Sequence, residues 1–355
     1  MFKLLETLTS LNGPCGYEAA VSQFLKEYLI EKTDSVEVDP IGNVIARIKG
    51  NHEGPTTLLT AHIDEVGFIV KKIEPNGLLR FEKLGGHDDR ILLAQEVIVM
   101  AKSGELNGVI GTMSAHYVKF DDPSKVRKHA KLYIDIGATS KAEAEEMGVE
   151  IGTPITWKKQ LKYAGSEKTG KVIGKALDDR AGCAVLLQAL EELQDRNFAG
   201  ELIFLFAVQE EVGLRGAKTA SQNLYADVAI AVDTTAVSDT PEETMDQSLQ
   251  IGAGVGIKVM DFSLITHYKV KDVLVETAKR ENIPYQMEVF PGIGTDGGAV
   301  AFSQKGVPTG VLSVPSRYAH SPVELIDLKD LEATKDLLKQ FVRSLHGESK
   351  FTFTN

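Results

Sequence analysis

The sequence holds only two cysteines in 355 residues, Cys15 and Cys183, far apart and in no C-x-x-C or other metal-spaced pattern. That scarcity excludes a disulfide framework. Tryptophan is nearly missing, with Trp157 alone. Positive charge is in deficit: 39 Lys and Arg stand against 50 Asp and Glu, a net charge of −11, and no basic run occurs. A phosphate backbone or an anionic membrane surface would meet no complementary patch, so nucleic acid and membrane are poor partners. No apolar run approaches the ~18 residues that a bilayer span needs. The opening MFKLLETLTSLNGPCGYE breaks its apolar stretch with Lys3 and Glu6 and offers no signal-peptide core or cleavage site. Free thiols, no signal and no span together give the expectation of a cytoplasmic protein.

What is present is an ordinary globular composition, 43% hydrophobic and 25% charged, at a length that suggests about two domains. In residues 19–30 the apolar side chains of Ala20, Val21, Phe24, Leu25, Tyr28 and Leu29 share one helical face. Strand-like runs follow at 43–49 and 57–62, the second apolar on both faces like a central strand of a helix-covered sheet. From about Val66 to Leu161 short β-rich runs alternate with glycine-containing turns: 66–72, 78–83, 96–101, 108–113, 131–136 and 154–158, with a helical patch near 142–147. Such texture predicts a small all-β barrel or sandwich, inserted at 67–161 into a domain formed by 1–66 and 162–355. Strand–helix alternation then returns, with strands expected at 171–177, 202–208, 228–232, 285–290 and 307–314. Helices are expected at 180–195, 215–223, 270–281, 299–304 and 328–345. The fold class is therefore α/β, a mixed sheet flanked by helices, interrupted by the small β insertion.

Asp, Glu and His make up 58 of the 355 residues, so a single one at a strand end carries little information. The set carries more. Thr57-Leu-Leu-Thr-Ala runs into His62-Ile-Asp64-Glu65, and Lys171-Val-Ile-Gly-Lys-Ala-Leu into Asp178-Asp179. The run 202–208 leads to Gln209-Glu210-Glu211, the run 228–232 to Asp233, and Gly310-Val-Leu-Ser-Val-Pro to Arg317-Tyr-Ala-His320. In open α/β sheets the ligand crevice lies at the carboxyl ends of the strands, so these five termini can converge. So many carboxylates at one crevice are costly unless positive charge neutralises them. Divalent ions supply that charge, and imidazole with carboxylate, without thiolate, suits Zn²⁺, Co²⁺ or Mn²⁺.

The motifs A-H-I-D-E-V-G-F, G-K-A-L-D-D-R-A-G, V-Q-E-E-V-G-L-R-G-A, A-V-D, G-I-G-T-D-G-G-A and S-R-Y-A-H-S-P resemble, in order and spacing, the series of the M42 metallo-aminopeptidases. That family includes the glutamyl aminopeptidases and proteins often labelled endoglucanase M, and the resemblance covers nearly the whole chain. It implies a zinc-peptidase-like catalytic domain that cleaves N-terminal residues from short peptides. His62, Asp178, Glu211, Asp233 and His320 would bind two divalent ions per subunit, Zn²⁺ or Co²⁺ or else Mn²⁺, with Asp178 bridging. The implied partition puts His62 and Asp233 on one ion, Glu211 and His320 on the other. Glu210 would be the general base, taking a proton from metal-activated water and passing it to the leaving amine. Asp64 would receive the remaining N–H of His62 and fix its tautomer. Asp296 and Arg317 are candidate substrate contacts; Arg317 is either a carboxylate clamp or a neutraliser of the acidic site. The resemblance also implies a homo-oligomer, dimers assembling to a hollow dodecamer, with the β insertion making subunit contacts. Two places depart from the family pattern: Gly85-Gly86-His87 where G-G-W is frequent, and Gly294-Thr-Asp-Gly297 where G-T-D-A is frequent.

Several residues read more simply. Asp179 is expected as a helix N-cap for Arg180 onward. His87, His116 and His267 read as structural or surface residues, and Cys183 as a small core residue. Gly252-Ala-Gly254-Val-Gly256 lacks the spacing of a nucleotide loop. A metal-independent glycoside hydrolase is the alternative reading: it needs two carboxylates about 5–9.5 Å apart and no metal. That alternative leaves the two strand-end histidines unexplained and offers a single tryptophan for a sugar cleft.

Overall fold

The computed structural model describes residues 1–118, 122 and 124–354. Helices α1 (Phe2–Ser10) and α2 (Ala19–Leu29) lead into strands β1 (Ser35–Val38), β2 (Val44–Lys49) and β3 (His52–His62). Strands β4 (Gly67–Ile73), β5 (Leu79–Leu84), β6 (Glu96–Ala101), β7 (Gly104–Ile110) and β8 (Ile134–Asp135) follow, then helix α3 (Lys141–Glu146) and β9 (Pro154–Trp157). These six strands close into a barrel in the order β4-β5-β8-β7-β6-β9. After β10 (Lys162–Tyr163) and β11 (Lys171–Gly174) come α4 (Leu177–Glu192), β12 (Ala199–Ala207), α5 (Arg215–Ala220), β13 (Val228–Ala236) and β14 (Val255–Asp261). The chain then runs through α6 (Tyr268–Arg280), β15 (Tyr285–Phe290), α7 (Asp296–Ala301), β16 (Thr309–Arg317), β17 (Glu324–Asp327) and α8 (Leu328–Ser344).

Among the described residues, the eleven strands outside the barrel form one mixed sheet, ordered β1-β2-β12-β3-β13-β16-β17-β11-β10, with β14 joined to β16 and β15 to β14. Its centre is parallel, β12 with β3, β3 with β13, and β13 with β16; its flanks are antiparallel apart from the β14–β15 pair. The side-chain period of two explains why it is covered on both faces. On β12, Leu202, Phe204 and Phe206 enter the core beneath α4 and α8, whereas Ile203, Leu205 and Ala207 face α5 and α7. The first face carries the bulk of the core; the second packs small residues such as Ala217, Ala220 and Ala299. A separate cluster, with Phe68, Phe81, Val97, Ile155 and Trp157, fills the barrel.

The predicted α/β organisation and the β-rich stretch are both found. Five elements were not predicted: α1, β1, β10, β14 and β17. The expected strand through Leu177 ends at Gly174, because Lys175 turns inward to place Nζ 2.7 Å from both carboxylate oxygens of Glu65. The helix expected at 299–304 lies at Asp296–Ala301, with Asp296 in its first turn. Within 131–136 only Ile134–Asp135 is strand. Among the described residues no helix is long and apolar enough to cross a membrane.

Candidate metal and active site

The expected metal ligands and Glu210 lie in the carboxyl-terminal half of a sheet strand or in the segment that follows one, whereas Asp296 opens α7. His62 ends β3, in register with Ala207, and Glu210 and Glu211 follow β12 after a tight turn. Asp233 lies on β13, Asp178 follows β11, and His320 follows β16. The site therefore exists because parallel neighbours bring their ends to one edge.

The two histidines flank Asp178. His62 Nε2 is 3.1 Å from Asp178 Oδ1, and His320 Nε2 is 3.4 Å from Asp178 Oδ2. His62 Nε2 also lies 3.8 Å from Asp233 Oδ1, and His320 Nε2 lies 3.1 Å from Glu211 Oε1. Behind His62, Nδ1 faces Asp64 Oδ1 at 3.3 Å. Asp64 is fully buried and also accepts the backbone N–H groups of Glu210 (2.9 Å) and Glu211 (3.2 Å). One carboxylate thus orients a histidine and fixes the turn that presents two glutamates. Asp179 caps the regular part of α4, accepting from Gly182 N at 2.9 Å, while its Oδ2 is buried without a hydrogen-bond partner.

Burial dominates the electrostatics. It pushes the proton affinities of Glu210 and Asp233 well up, and neighbouring carboxylates add to the rise. Burial raises Glu211 as well, against the pull of His320. For Asp178 burial is outweighed by hydrogen bonds to His320 and His62, which hold the carboxyl below its ordinary range. Burial disfavours the charged form of His320, yet Glu211 and Asp178 push it up to about 12. The cluster thus demands counter-charge, and against burial its carboxylates draw both histidines toward the charged form. Divalent ions meet the same demand. The ligand atoms of His62, Asp178 and Glu211 lie within 4.8 Å of one another, as do those of His62, Asp179 and Asp233. Two imidazoles among carboxylates, with the buried Oδ2 of Asp179 unpartnered, fit divalent-metal binding.

Two contributors escaped the sequence reading. Glu324, buried on β17, accepts Asp178 N at 3.0 Å and His320 N at 2.8 Å. His320 has a φ of 60°, a left-handed conformation uncommon for histidine, and this bond holds its turned-in amide. Gly86, in the loop after β5, accepts from His320 Nδ1 at 2.8 Å, which leaves Nε2 to face the cluster. The neighbouring Gly85 is required: its φ is +81°, and a Cβ there would lie 2.7 Å from Val66 Cγ1. The spacing S-P-x-E after His320 was the only signal for Glu324, and a backbone carbonyl leaves none.

The cavity above the cluster measures about 750 Å³ and is lined by His62, Asp178, Glu210, Asp233, Phe262, Ile293 and His320 among others. Asp296, two residues past the lining residue Gly294, is buried and not itself among the lining residues; both its oxygens are unpartnered, and burial pushes its pKa up to about 7. Arg317 is not among the lining residues; its guanidinium grips Asp239 through two bonds, Nε at 2.7 Å and a terminal nitrogen at 2.8 Å. His87 stacks on Phe68 inside the barrel wall and reaches the cavity of its own chain. His116 is exposed, and His267 stacks on Tyr268. The amides of Gly252 and Gly254 are taken by Asp330 at 2.6 and 2.8 Å, so that glycine loop holds the protein's own carboxylate.

The family model for M42 glutamyl aminopeptidases matches residues 42–337. The chain belongs to that family. The enzyme class, a hydrolase acting on peptide bonds, goes with it. A lysyl aminopeptidase of Pyrococcus furiosus is 32% identical over 348 residues, covering 97% of each chain. Among solved structures, aminopeptidase APDkam598 of Desulfurococcus kamchatkensis superposes with a TM-score of 0.91 at 36% identity, covering 99% of this chain and 96% of that one. The Pyrococcus horikoshii TET1 peptidase superposes with a TM-score of 0.85 at 35% identity, over 96% of this chain and 98% of its own. That peptidase can assemble into a tetrahedron or a large octahedral shell. The M42 relatives share the mixed sheet with its helices, and the family name and the Pyrococcus furiosus enzyme point to different N-terminal residues, glutamyl and lysyl.

Proposed function

We propose that this M42 chain is a dinuclear metal-dependent aminopeptidase that removes N-terminal residues from short peptides. The observation that carries the reading is Asp178 lying between His62 and His320, 3.1 and 3.4 Å away, with Asp233 facing the same Nε2 of His62 and Glu211 the same Nε2 of His320. His62, Asp178, Glu211, Asp233 and His320 would hold two ions, with Asp178 shared; Zn²⁺, Co²⁺ and Mn²⁺ suit the donors. Bound divalent ions would supply the positive charge that polarises the scissile carbonyl and makes water more acidic.

The chain's own groups do the rest. Asp64 Oδ1, 3.3 Å from Nδ1 of His62, favours the tautomer protonated there, so that Nε2 would carry the free lone pair toward the ions. Gly86 does the same for His320 through its carbonyl. Glu210 is set beside the cluster by its backbone bond to Asp64. Its carboxylate takes a proton from the attacking water as the carbon–oxygen bond forms, then returns that proton to the amine nitrogen as the carbon–nitrogen bond breaks. The high proton affinity that burial gives Glu210 matches a group that must both accept and donate. The surrounding carboxylates, Asp296 included, favour a substrate's free ammonium, which restricts cleavage to the first residue. Arg317, already spent on Asp239, is assigned to holding the 234–247 loop rather than to a substrate carboxylate.

The barrel contributes Gly86 and His87 to the cavity, and we assign it a second role in subunit contact, as part of a homo-oligomer of the kind the TET1 peptidase forms. A monomeric mass by light scattering at micromolar protein overturns that assignment. The test of the activity is hydrolysis of Glu-, Asp-, Leu-, Lys- and Ala-p-nitroanilides, with chelator and after addition of Zn²⁺, Co²⁺ or Mn²⁺. Cleavage that chelator abolishes and metal restores is expected. Absence of cleavage by metal-loaded, folded protein overturns the proposed substrate class.

A further inference from the structure

Behind the cavity lies a buried ion cluster that the chemistry above leaves unused. Lys258 on β14 is 0% exposed. Its Nζ is 3.2 Å from Glu288 Oε1 and 3.8 Å from Asp261 Oδ2. Pairing of β14 with β15 sets Lys258 opposite Glu288. Glu288 Oε1 also accepts from Thr235 Oγ1 at 2.5 Å, two residues beyond Asp233 on β13. One arm of the cluster therefore ends on the strand that presents Asp233.

The other arm ends on the cavity wall. Asp261 Oδ1 accepts from Ser263 N, Ser263 Oγ and Leu264 N at 2.6, 2.8 and 2.9 Å, and its Oδ2 accepts from Thr295 Oγ1 at 3.2 Å. Thr295 N in turn donates to Ser263 Oγ at 3.1 Å, and Phe262 N donates to Ile293 O at 2.8 Å. These bonds join 262–263 to 292–295, and Phe262, Ser263, Gly292, Ile293 and Gly294 all line the cavity. The wall also sits tightly on α7, where a Cβ at Gly298 would come 2.4 Å from Ser263 Cβ. Lys258 is the cation that faces both arms.

A buried ion cluster seldom outperforms well-packed apolar side chains for stability, and its best-attested use is to fix one arrangement among several. We infer that Lys258 is a positioning residue: it ties the wall formed by 262–263 and 292–294 to the strand of Asp233. The wall then contacts the first residue of the peptide, whose own carbonyl is the one attacked, and so contributes to its binding. This role rests on the aminopeptidase reading, since it is substrate affinity that the wall sets.

The test uses the full-length protein and the double variant Lys258→Met/Glu288→Gln, which removes one buried charge of each sign, with Lys258→Arg as the conservative control. Hydrogen exchange of the Phe262, Leu264 and Thr295 amides is expected to quicken tenfold or more in the double variant, with β3 and β12 unchanged. KM for the best aminoacyl-p-nitroanilide is expected to rise at least tenfold while kcat stays within threefold and metal content is unaltered; Lys258→Arg stays within threefold of the wild type in KM. Unchanged exchange in the wall, or faster exchange with unchanged KM, overturns the inference. Should the double variant not fold, Asp261→Asn cuts the wall-side arm alone, and an unchanged KM there overturns it equally. Failure of the wild type to cleave any substrate strikes the proposed function instead, and hydrogen exchange on the same proteins still decides whether Lys258 mounts the wall.

Discussion

Glu324 reaches back four residues to His320: its Oε1 accepts the His320 backbone N–H at 2.8 Å. Its other oxygen accepts Asp178 N at 3.0 Å, so one buried carboxylate fixes two segments of the candidate metal site. Glu324→Gln turns one acceptor into a donor that faces a backbone N–H. Supporting groups of this kind are worth about 10–100-fold in metal affinity. We expect Glu324→Gln to weaken divalent-ion binding by about that factor while the far-ultraviolet circular dichroism is preserved, measured by equilibrium dialysis with elemental analysis. Wild-type affinity in the variant would remove Glu324 from the site.

Glu210→Gln separates proton transfer from metal binding. Glu210 contributes its carboxylate to the cavity but is absent from both groups whose ligand atoms cluster within 4.8 Å. The variant should retain both ions and lose about 10²–10⁴ in kcat, the usual contribution of a positioned acid–base group. His62→Ala, by contrast, should lose bound metal as well as activity. Near-normal turnover in Glu210→Gln would place the base elsewhere.

The strand ends that build the site were readable because apolar runs such as 57–61 and 228–232 stop at His62 and Asp233, and parallel neighbours align such stops. The central sheet and the barrel were readable for the same reason: side-chain period and glycine turns survive in one dimension. What stayed hidden depends on contacts that spacing does not encode. Glu324 meets Asp178 across 146 residues, and Gly86 acts through its carbonyl. β14 was missed because glycines at 254 and 256 and the charge of Lys258 mask a strand whose lysine is neutralised by a neighbouring strand. The sequence left Arg317 open between a carboxylate clamp and a neutraliser because its ion-pair partner, Asp239, lies in a loop whose path the sequence does not fix.

That pairing makes a prediction. The two bonds between Arg317 and Asp239 are charge-assisted and only partly exposed to solvent. Arg317→Met should release the 234–247 loop and quicken its proteolysis, yet leave KM for aminoacyl-p-nitroanilides within about threefold. Asp239→Asn should behave alike, since both lose the same contact. A tenfold rise in KM for peptides, absent with p-nitroanilides, would instead restore Arg317 as a clamp for a substrate carboxylate.

Asp330 offers a pH test remote from the metal site. It is fully buried on α8, and burial pushes its pKa up to about 6 even though Gly252 N and Gly254 N favour the charged form. In the unfolded chain the value is about 4. A folded-state pKa above the unfolded one means that the native protein binds the proton more tightly, so this group's contribution is fully present below about pH 4. It is then lost as pH rises through about 6. Two units correspond to roughly 1–3 kcal/mol. Asp330→Asn cannot titrate, so the wild type should be favoured over the variant most at pH 4, and the difference should shrink by that amount on reaching pH 7. Urea unfolding of both proteins at half-unit intervals measures it. A difference independent of pH would mean that the two glycine amides already hold the carboxylate charged in the native state.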